Sequence, residues 1–121
     1  MISNGIDLIE IERIEKALEK DGFKSRVYGE NELKELERKR TESYAAAFCA
    51  KEAFSKALGT GISGFSFHEV EVLHDEKGKP YFLLSGKAKQ LADSLKLDFS
   101  LSITHTKDYA AAMVTAYTKE G

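Results

Sequence analysis

The sequence predicts an α+β fold in which a mostly antiparallel sheet packs against one long alanine-rich helix. Three observations carry that expectation. SYAAAFCAKEAFSKALGTG, residues 43–61, is alanine and aromatic carbon almost throughout and long enough for several helical turns. NGIDLIEI near the start and DFSLSITHTKDYAAAMVTAYT near the end show the short β-branched and alternating patterns of strands. HEVEVLH and PYFLLS, joined by the turn residues DEKGK, read as a hairpin, which argues for antiparallel pairing.

In chain order, residues 2–9 form a predicted strand, after which Ile11, Ile14, Ala17 and Leu18 switch to helical spacing. GENELKELERKR predicts a short helix around residues 30–37 that ends in the basic cluster Arg38, Lys39 and Arg40. The long helix is expected from Ser43 to Leu58, with Gly59 as its C-terminal stop. FHEVEVLH, residues 67–74, alternates like a half-buried strand, and its partner begins at Pro80, a position where proline is tolerated. GKAKQLADSL is helical, and two strands then flank a His-Thr-Lys-Asp corner at residues 105–108, with Phe99, Leu101 and Ile103 on one face. A chain of 121 residues without repeats or linkers suits a single domain over residues 1–121.

Composition excludes several classes of function. Eighteen basic and twenty acidic residues leave a formal net charge of −2, too small a field to argue for nucleic acid or membrane binding. The N-terminal MISNGIDLIEIERI lacks a signal peptide's basic and apolar regions, and no apolar run approaches membrane-spanning length. One cysteine, Cys49, fits a reducing compartment, and its alanine neighbours mark it as a small buried hydrophobe. These observations predict a cytoplasmic protein. His68, His74 and His105 are too scattered for a zinc site. GTGISG, residues 59–64, has dinucleotide-loop spacing but follows a helix where that loop requires a strand, so it reads as a helix cap running into a turn.

What remains are charges in places that disfavour them. Asp7 lies inside a strand, where aspartate is depleted, and it points to the opposite sheet face from Ile6 and Leu8. Alone it reads as an edge or capping residue. Lys51, Glu52 and Lys56 interrupt the apolar helix. Glu52 and Lys56 stand four apart in the order that favours an ion pair, and Ala45, Cys49 and Ala53 surround them. A surface salt bridge is the plain reading, but a helix apolar nearly all round is normally buried, and charges there need strong partners. Two sparse carboxylates, waters and substrate phosphates are a common way to hold Mg²⁺, so Asp7 and Glu52 together form a candidate hard-cation site with a lysine beside it.

GIDLIEIERI, AKEAFSKALGTGI, GKPY and SITHTKDYAAA resemble, in order and spacing, the signatures of the holo-acyl carrier protein synthase family of 4'-phosphopantetheinyl transferases. The resemblance spans essentially the whole chain, and GID with a distant KEAFSK is its specific part. It implies the transferase-like α+β fold of that family. The implied reaction moves the phosphopantetheine arm of coenzyme A to a serine of apo-acyl carrier protein, in support of fatty acid biosynthesis. Adenosine 3',5'-bisphosphate is released, and Mg²⁺ is required, with Mn²⁺ able to substitute. A homotrimer with active sites between subunits is implied as well.

By the same resemblance Asp7 and Glu52 are metal ligands and act with Lys56 in catalysis, while Ser55, Lys56, Gly59, Thr60, Gly61, Pro80, His105 and Thr106 contact coenzyme A. His105 read alone is only a turn residue. Arg13 falls on the family's E-x-x-R-I arginine, which meets the acidic carrier protein, and Lys16 and Lys20 extend the same helix face. Glu12 and Lys16 also form an ordinary i, i+4 pair on a solvated surface. The chain departs from the family at Ala47, where many members carry an arginine; Arg38, Lys39 and Arg40 offer charge instead, or simply a solvated helix end. Two other readings are a non-catalytic module that binds coenzyme A or acyl carrier protein, and a structural trimer with buried ion pairs. Retention of Asp7, Glu52 and Lys56 together favours the enzyme.

Overall fold

In a computed structural model, residues 1–59 and 64–119 are described. Strand β1 (Ile2–Glu10) leads into helices α1 (Ile11–Leu18), α2 (Phe23–Val27), α3 (Glu30–Leu36) and α4 (Thr41–Ala57). A 3-10 turn at Phe67–Glu69 introduces β2 (Val70–His74), followed by β3 (Pro80–Leu84), α5 (Gly86–Ser94), β4 (Leu97–His105) and β5 (Tyr109–Thr118). Both sheets are antiparallel: three strands in the order β1-β5-β4, and a separate β2-β3 ribbon.

Small side chains determine how α4 meets the sheet. Its Ala50, Ala53 and Ala57 are buried, as are Ala110, Ala112, Val114 and Ala116, which alternate along the inner face of β5. On β1 the approach is closest at Gly5, where a Cβ would collide with the Ala53 carbonyl oxygen and the Ala57 amide. The missing side chain lets helix and strand backbones touch, and Asp7, two residues on, comes within reach of α4. Phe54, fully buried, packs from α4 against Phe82 and Phe99 at 5.2 and 4.7 Å between ring centroids, joining the β2-β3 ribbon and β4 to the same core.

The expected elements are largely present. Phe99 and Ile103 are half-buried and Leu101 is buried on one face of β4. Gly59, at φ 81°, follows the C-terminus of α4 and donates its amide to the Lys56 carbonyl at 3.0 Å.

Three details differ from the sequence-based expectation. The long helix begins two residues earlier, at Thr41. Helix α2 was not anticipated: it is only five residues long and starts from Gly22 at φ 81°. Residues 67–69 are a 3-10 turn, and β2 does not alternate, because Glu71 is buried along with Val70 and Val72.

The outer face of the three-stranded sheet has an unusual composition. On β1, Ile6 and Leu8 are each 66% exposed while Asp7 between them faces the helix side, and Ile2, Met113 and Tyr117 lie exposed on the same outer face.

Candidate active site

Asp7 reaches α4 because Gly5 brings the two backbones together. Its Oδ1 accepts a hydrogen bond from Lys56 Nζ at 3.1 Å, and the same ammonium donates to the Ile6 carbonyl, also at 3.1 Å. On the other side, Cys49 Sγ lies 3.2 Å from the Asp7 carbonyl oxygen and 3.4 Å from its Oδ2. Both carboxylate oxygens are thus engaged by α4, one by a cation and one by a weak thiol donor. Burial and the neighbouring Asp7 carboxylate push the Cys49 thiol up to about 12, which keeps it protonated and unreactive, in line with its reading as a small buried residue.

Glu52 lies half-buried between Cys49 and Lys56 on α4. Burial raises its pKa first, and the Asp7 charge raises it further; Lys56 and Arg13 pull the other way. These influences gather Asp7, Glu52, Lys56 and Arg13 around one spot where β1, α1 and α4 converge. The ion pair expected between Glu52 and Lys56 is not the one formed: Lys56 binds Asp7, which the strand brings directly to it.

The donor set fits a hard divalent cation. Asp7 and Glu52 supply oxygen only, they repel one another, and neither is sealed from solvent. Among the described residues no group of three or more His, Cys, Asp or Glu side chains is placed to hold a metal, so a cation here would have two carboxylates and take further oxygens from water or substrate.

The other expected contacts divide into two places. Ser55 lies half-buried on α4 beside Lys56, and Gly59 is exposed at the helix end; Thr60 and Gly61 lie outside the described residues. Pro80 and His105 instead line a cavity of about 420 Å³, together with Ala47, Lys39, His74 and Glu35. At the corner, the Thr106 hydroxyl accepts the amides of Asp108 and Tyr109 at 3.3 and 3.1 Å, so it holds the turn. Ala47 contributes no charge to the cavity; Lys39, from the basic cluster after α3, and His74 are the basic groups on its wall beside His105. Helix α1 buries Ile11 and Ile14 and leaves Arg13 and Lys16 exposed; Lys20, expected on the same helix face, lies exposed beyond the helix, which ends at Leu18. Lys16 pairs with Glu12 at 3.4 Å, whereas Arg13 acts on Glu52.

Lys51, which the sequence sets beside Glu52 and Lys56 as a charge in the apolar helix, does not join them but enters a separate buried cluster. Lys51, 0% exposed, donates to Glu32 Oε1 at 2.7 Å, to the Phe67 carbonyl at 3.1 Å and to the Val70 carbonyl. Three acceptors match the three N–H groups of an ammonium. Glu32, likewise 0% exposed, also accepts the amides of Gly29 and Val72 at 3.0 Å. Glu71 accepts the Glu32 amide at 2.7 Å and the Asn31 side chain at 3.1 Å. A lysine inside an apolar helix was the available signal; its partners, on α3 and β2, carry no pattern that pairs them with it.

Comparison with known proteins bears directly on these residues. A family model described as the 4'-phosphopantetheinyl transferase superfamily matches residues 3–114. A holo-acyl carrier protein synthase of Fusobacterium nucleatum is 46% identical over 117 residues, covering 93% of this chain and 96% of that protein. One from Vibrio cholerae is 42% identical over 120 residues, covering 94% and 95%. Among solved structures, the holo-acyl carrier protein synthase of Neisseria meningitidis superposes with a TM-score of 0.89 at 34% identity, covering 98% of this chain and 100% of that one. The Bacillus anthracis synthase, solved in complex with CoA (3',5'-ADP), gives a TM-score of 0.81 at 39% identity and covers 97% and 96%.

Proposed function

We propose, from the premise that this chain belongs to the 4'-phosphopantetheinyl transferase superfamily, that it acts as a single-domain holo-acyl carrier protein synthase. It transfers the phosphopantetheine arm of coenzyme A to a serine hydroxyl of apo-acyl carrier protein and releases adenosine 3',5'-bisphosphate. The observation that carries this reading is the convergence of Asp7, Glu52 and Lys56 where β1 meets α4. In this reading the product supports fatty acid biosynthesis, and the enzyme is cytoplasmic, where its lone thiol stays reduced.

Asp7 and Glu52 would hold Mg²⁺, or Mn²⁺ in its place. The cation, when bound, neutralises charge on the pyrophosphate of coenzyme A during attack. Lys56 is half-exposed on a flexible stem, so its Nζ can leave Asp7 for the phosphate and stabilise the departing oxygen, as a point charge or by giving up a proton. Ser55 beside Lys56 and Gly59 at the end of α4 serve coenzyme A together with Thr60 and Gly61, while Pro80, His105 and Thr106 serve the nucleotide end, with Lys39 as a cation on the cavity wall near Ala47. Arg13, with Lys16 and Lys20, presents the basic face on which an acidic carrier protein docks.

A homotrimer with active sites between subunits is part of the same proposal, and two features support it. Ile2, Ile6, Leu8, Met113 and Tyr117 give the sheet an apolar outer face of the kind that a second copy covers. Moreover, Ala47 in the cavity and Lys56 at the carboxylates are nine residues apart on α4, about 14 Å along the helix axis, so a neighbouring copy can bring the two halves of a site together.

The test is to incubate the protein with apo-acyl carrier protein, coenzyme A and Mg²⁺ and to weigh the carrier by mass spectrometry. It gains one phosphopantetheine group, and omission of the metal with added chelator abolishes the gain. A carrier of unchanged mass, with coenzyme A binding intact, would instead identify a non-catalytic binding module.

A further inference from the structure

The buried Lys51–Glu32–Glu71 cluster lies outside the candidate chemistry, yet it touches the elements that frame it. Glu32 belongs to α3, Lys51 to α4, and Glu71 with the Val70 carbonyl and Val72 amide to β2. Those three elements also supply much of the wall of the 420 Å³ cavity: Glu35 and Leu36 from α3, Ala46 and Ala47 from α4, Val72 and His74 from β2. The next residue after Lys51 is Glu52. A single polar network therefore ties the cavity walls together and fixes the turn of α4 that presents the candidate metal ligand.

The local packing leaves that network little freedom. Lys51 Nζ spends its three donors on Glu32 and two carbonyls, so rotation of α4 about its axis would strand an ammonium among groups with no water to replace them. Gly29 is part of the same fit, because a Cβ there would run into the Glu71 side chain that accepts the Glu32 amide. No buried side-chain nitrogen or oxygen among the described residues lacks a hydrogen-bond partner. A fully satisfied polar cluster of this kind selects one arrangement of its elements where apolar packing would permit several.

We infer that Lys51 is a positioning residue that, through Glu32 and Glu71, couples the width of the nucleotide-side cavity to the placement of Glu52. Binding at either place then depends on the same clamp. This rests on the proposed assignment of coenzyme A to the cavity and of a divalent cation to Asp7 and Glu52.

The experiment compares wild type with Lys51→Met, and with Glu71→Gln as a milder variant that keeps a carbonyl acceptor for the Glu32 amide. Circular dichroism first establishes a temperature at which a variant is fully folded. There, Mn²⁺ binding is measured by electron paramagnetic resonance without coenzyme A, and the KM for coenzyme A by turnover. The clamp predicts that Lys51→Met weakens both by about tenfold or more, as loss of an outer-shell partner does at metal sites. For Glu71→Gln a smaller loss that moves both quantities together is expected. A folded variant with wild-type Mn²⁺ affinity and wild-type KM, or with only one of the two changed, overturns the coupling and leaves the cluster a support of the fold alone. Should Lys51→Met not fold, the Glu71→Gln result decides. Wild type that binds no Mn²⁺, or binds it undiminished after Asp7→Ala, would refute the cation assignment itself, an outcome distinct from failure of the clamp.

Discussion

Asp7 and Glu52 are held close although the Asp7 charge makes ionisation of Glu52 less favourable, an arrangement that a purely structural pair of carboxylates would avoid. Burial and the Asp7 charge raise Glu52 above its ordinary value of 4.5, so the folded chain keeps the Glu52 proton more firmly than the unfolded chain does. The stability due to that proton is complete below pH 4.5 and is lost as pH rises through the raised value. Glu52→Gln removes the titration. In chelator, thermal melts should therefore find the variant no more stable than wild type in acid but progressively more stable as pH rises above 4.5 and through the raised value, while its turnover with Mg²⁺ falls by orders of magnitude. Equal melting temperatures across that range would mean that Glu52 carries no strain in the fold.

At the scale of elements, the meeting of β1 with α4 builds the site, and Gly5 makes the meeting possible. Gly5→Ala forces a methyl group into the α4 backbone, and overpacking of a core costs about 1–3 kcal/mol or more. Chemical denaturation should show a loss at the top of that range, with turnover reduced because Asp7 retreats from Lys56. Helix α1 contributes in a different way. Lys16 makes only a solvated surface pair with Glu12, whereas the Arg13 charge reaches Glu52, which in the proposed function puts Arg13 where carrier docking and chemistry adjoin. Arg13→Gln should raise the KM for carrier protein about tenfold at low ionic strength, with less effect as salt rises and little on coenzyme A. An unchanged KM for the carrier would move its docking site elsewhere.

These elements were unevenly legible in the chain. Period-2 and helical spacing reveal most strands and helices, and Asp7 and Glu52 stand out because their residue types conflict with their surroundings. Lys56 was visible as a charge but its partner was not: local spacing favoured Glu52, whereas the contact made is to Asp7, 49 residues away. Glu71 alternated like an exposed strand residue and is buried because Asn31, Glu32 and Gly29 close over it. Pairings across such distances depend on how elements pack, which a local pattern does not encode.

For the whole molecule, the proposed trimer rests on the exposed apolar sheet face and on the division of the proposed site along α4. Met113 sits on β5 at the middle of that face, opposite Ile6 and Ser102. Met113→Glu should convert a trimer into a monomer by light scattering and cost most of the activity without loss of helical signal. A monomeric wild type with full activity would show that one chain holds a complete site. The central claim is narrower: Asp7, Glu52 and Lys56 form an active site and not a structural ion cluster. The most direct measurement is the rate at which Asp7→Ala converts apo-acyl carrier protein, followed by mass spectrometry with coenzyme A and saturating Mg²⁺, beside its melting temperature. A folded variant slower than wild type by orders of magnitude is the predicted result, and conversion at the wild-type rate would contradict it.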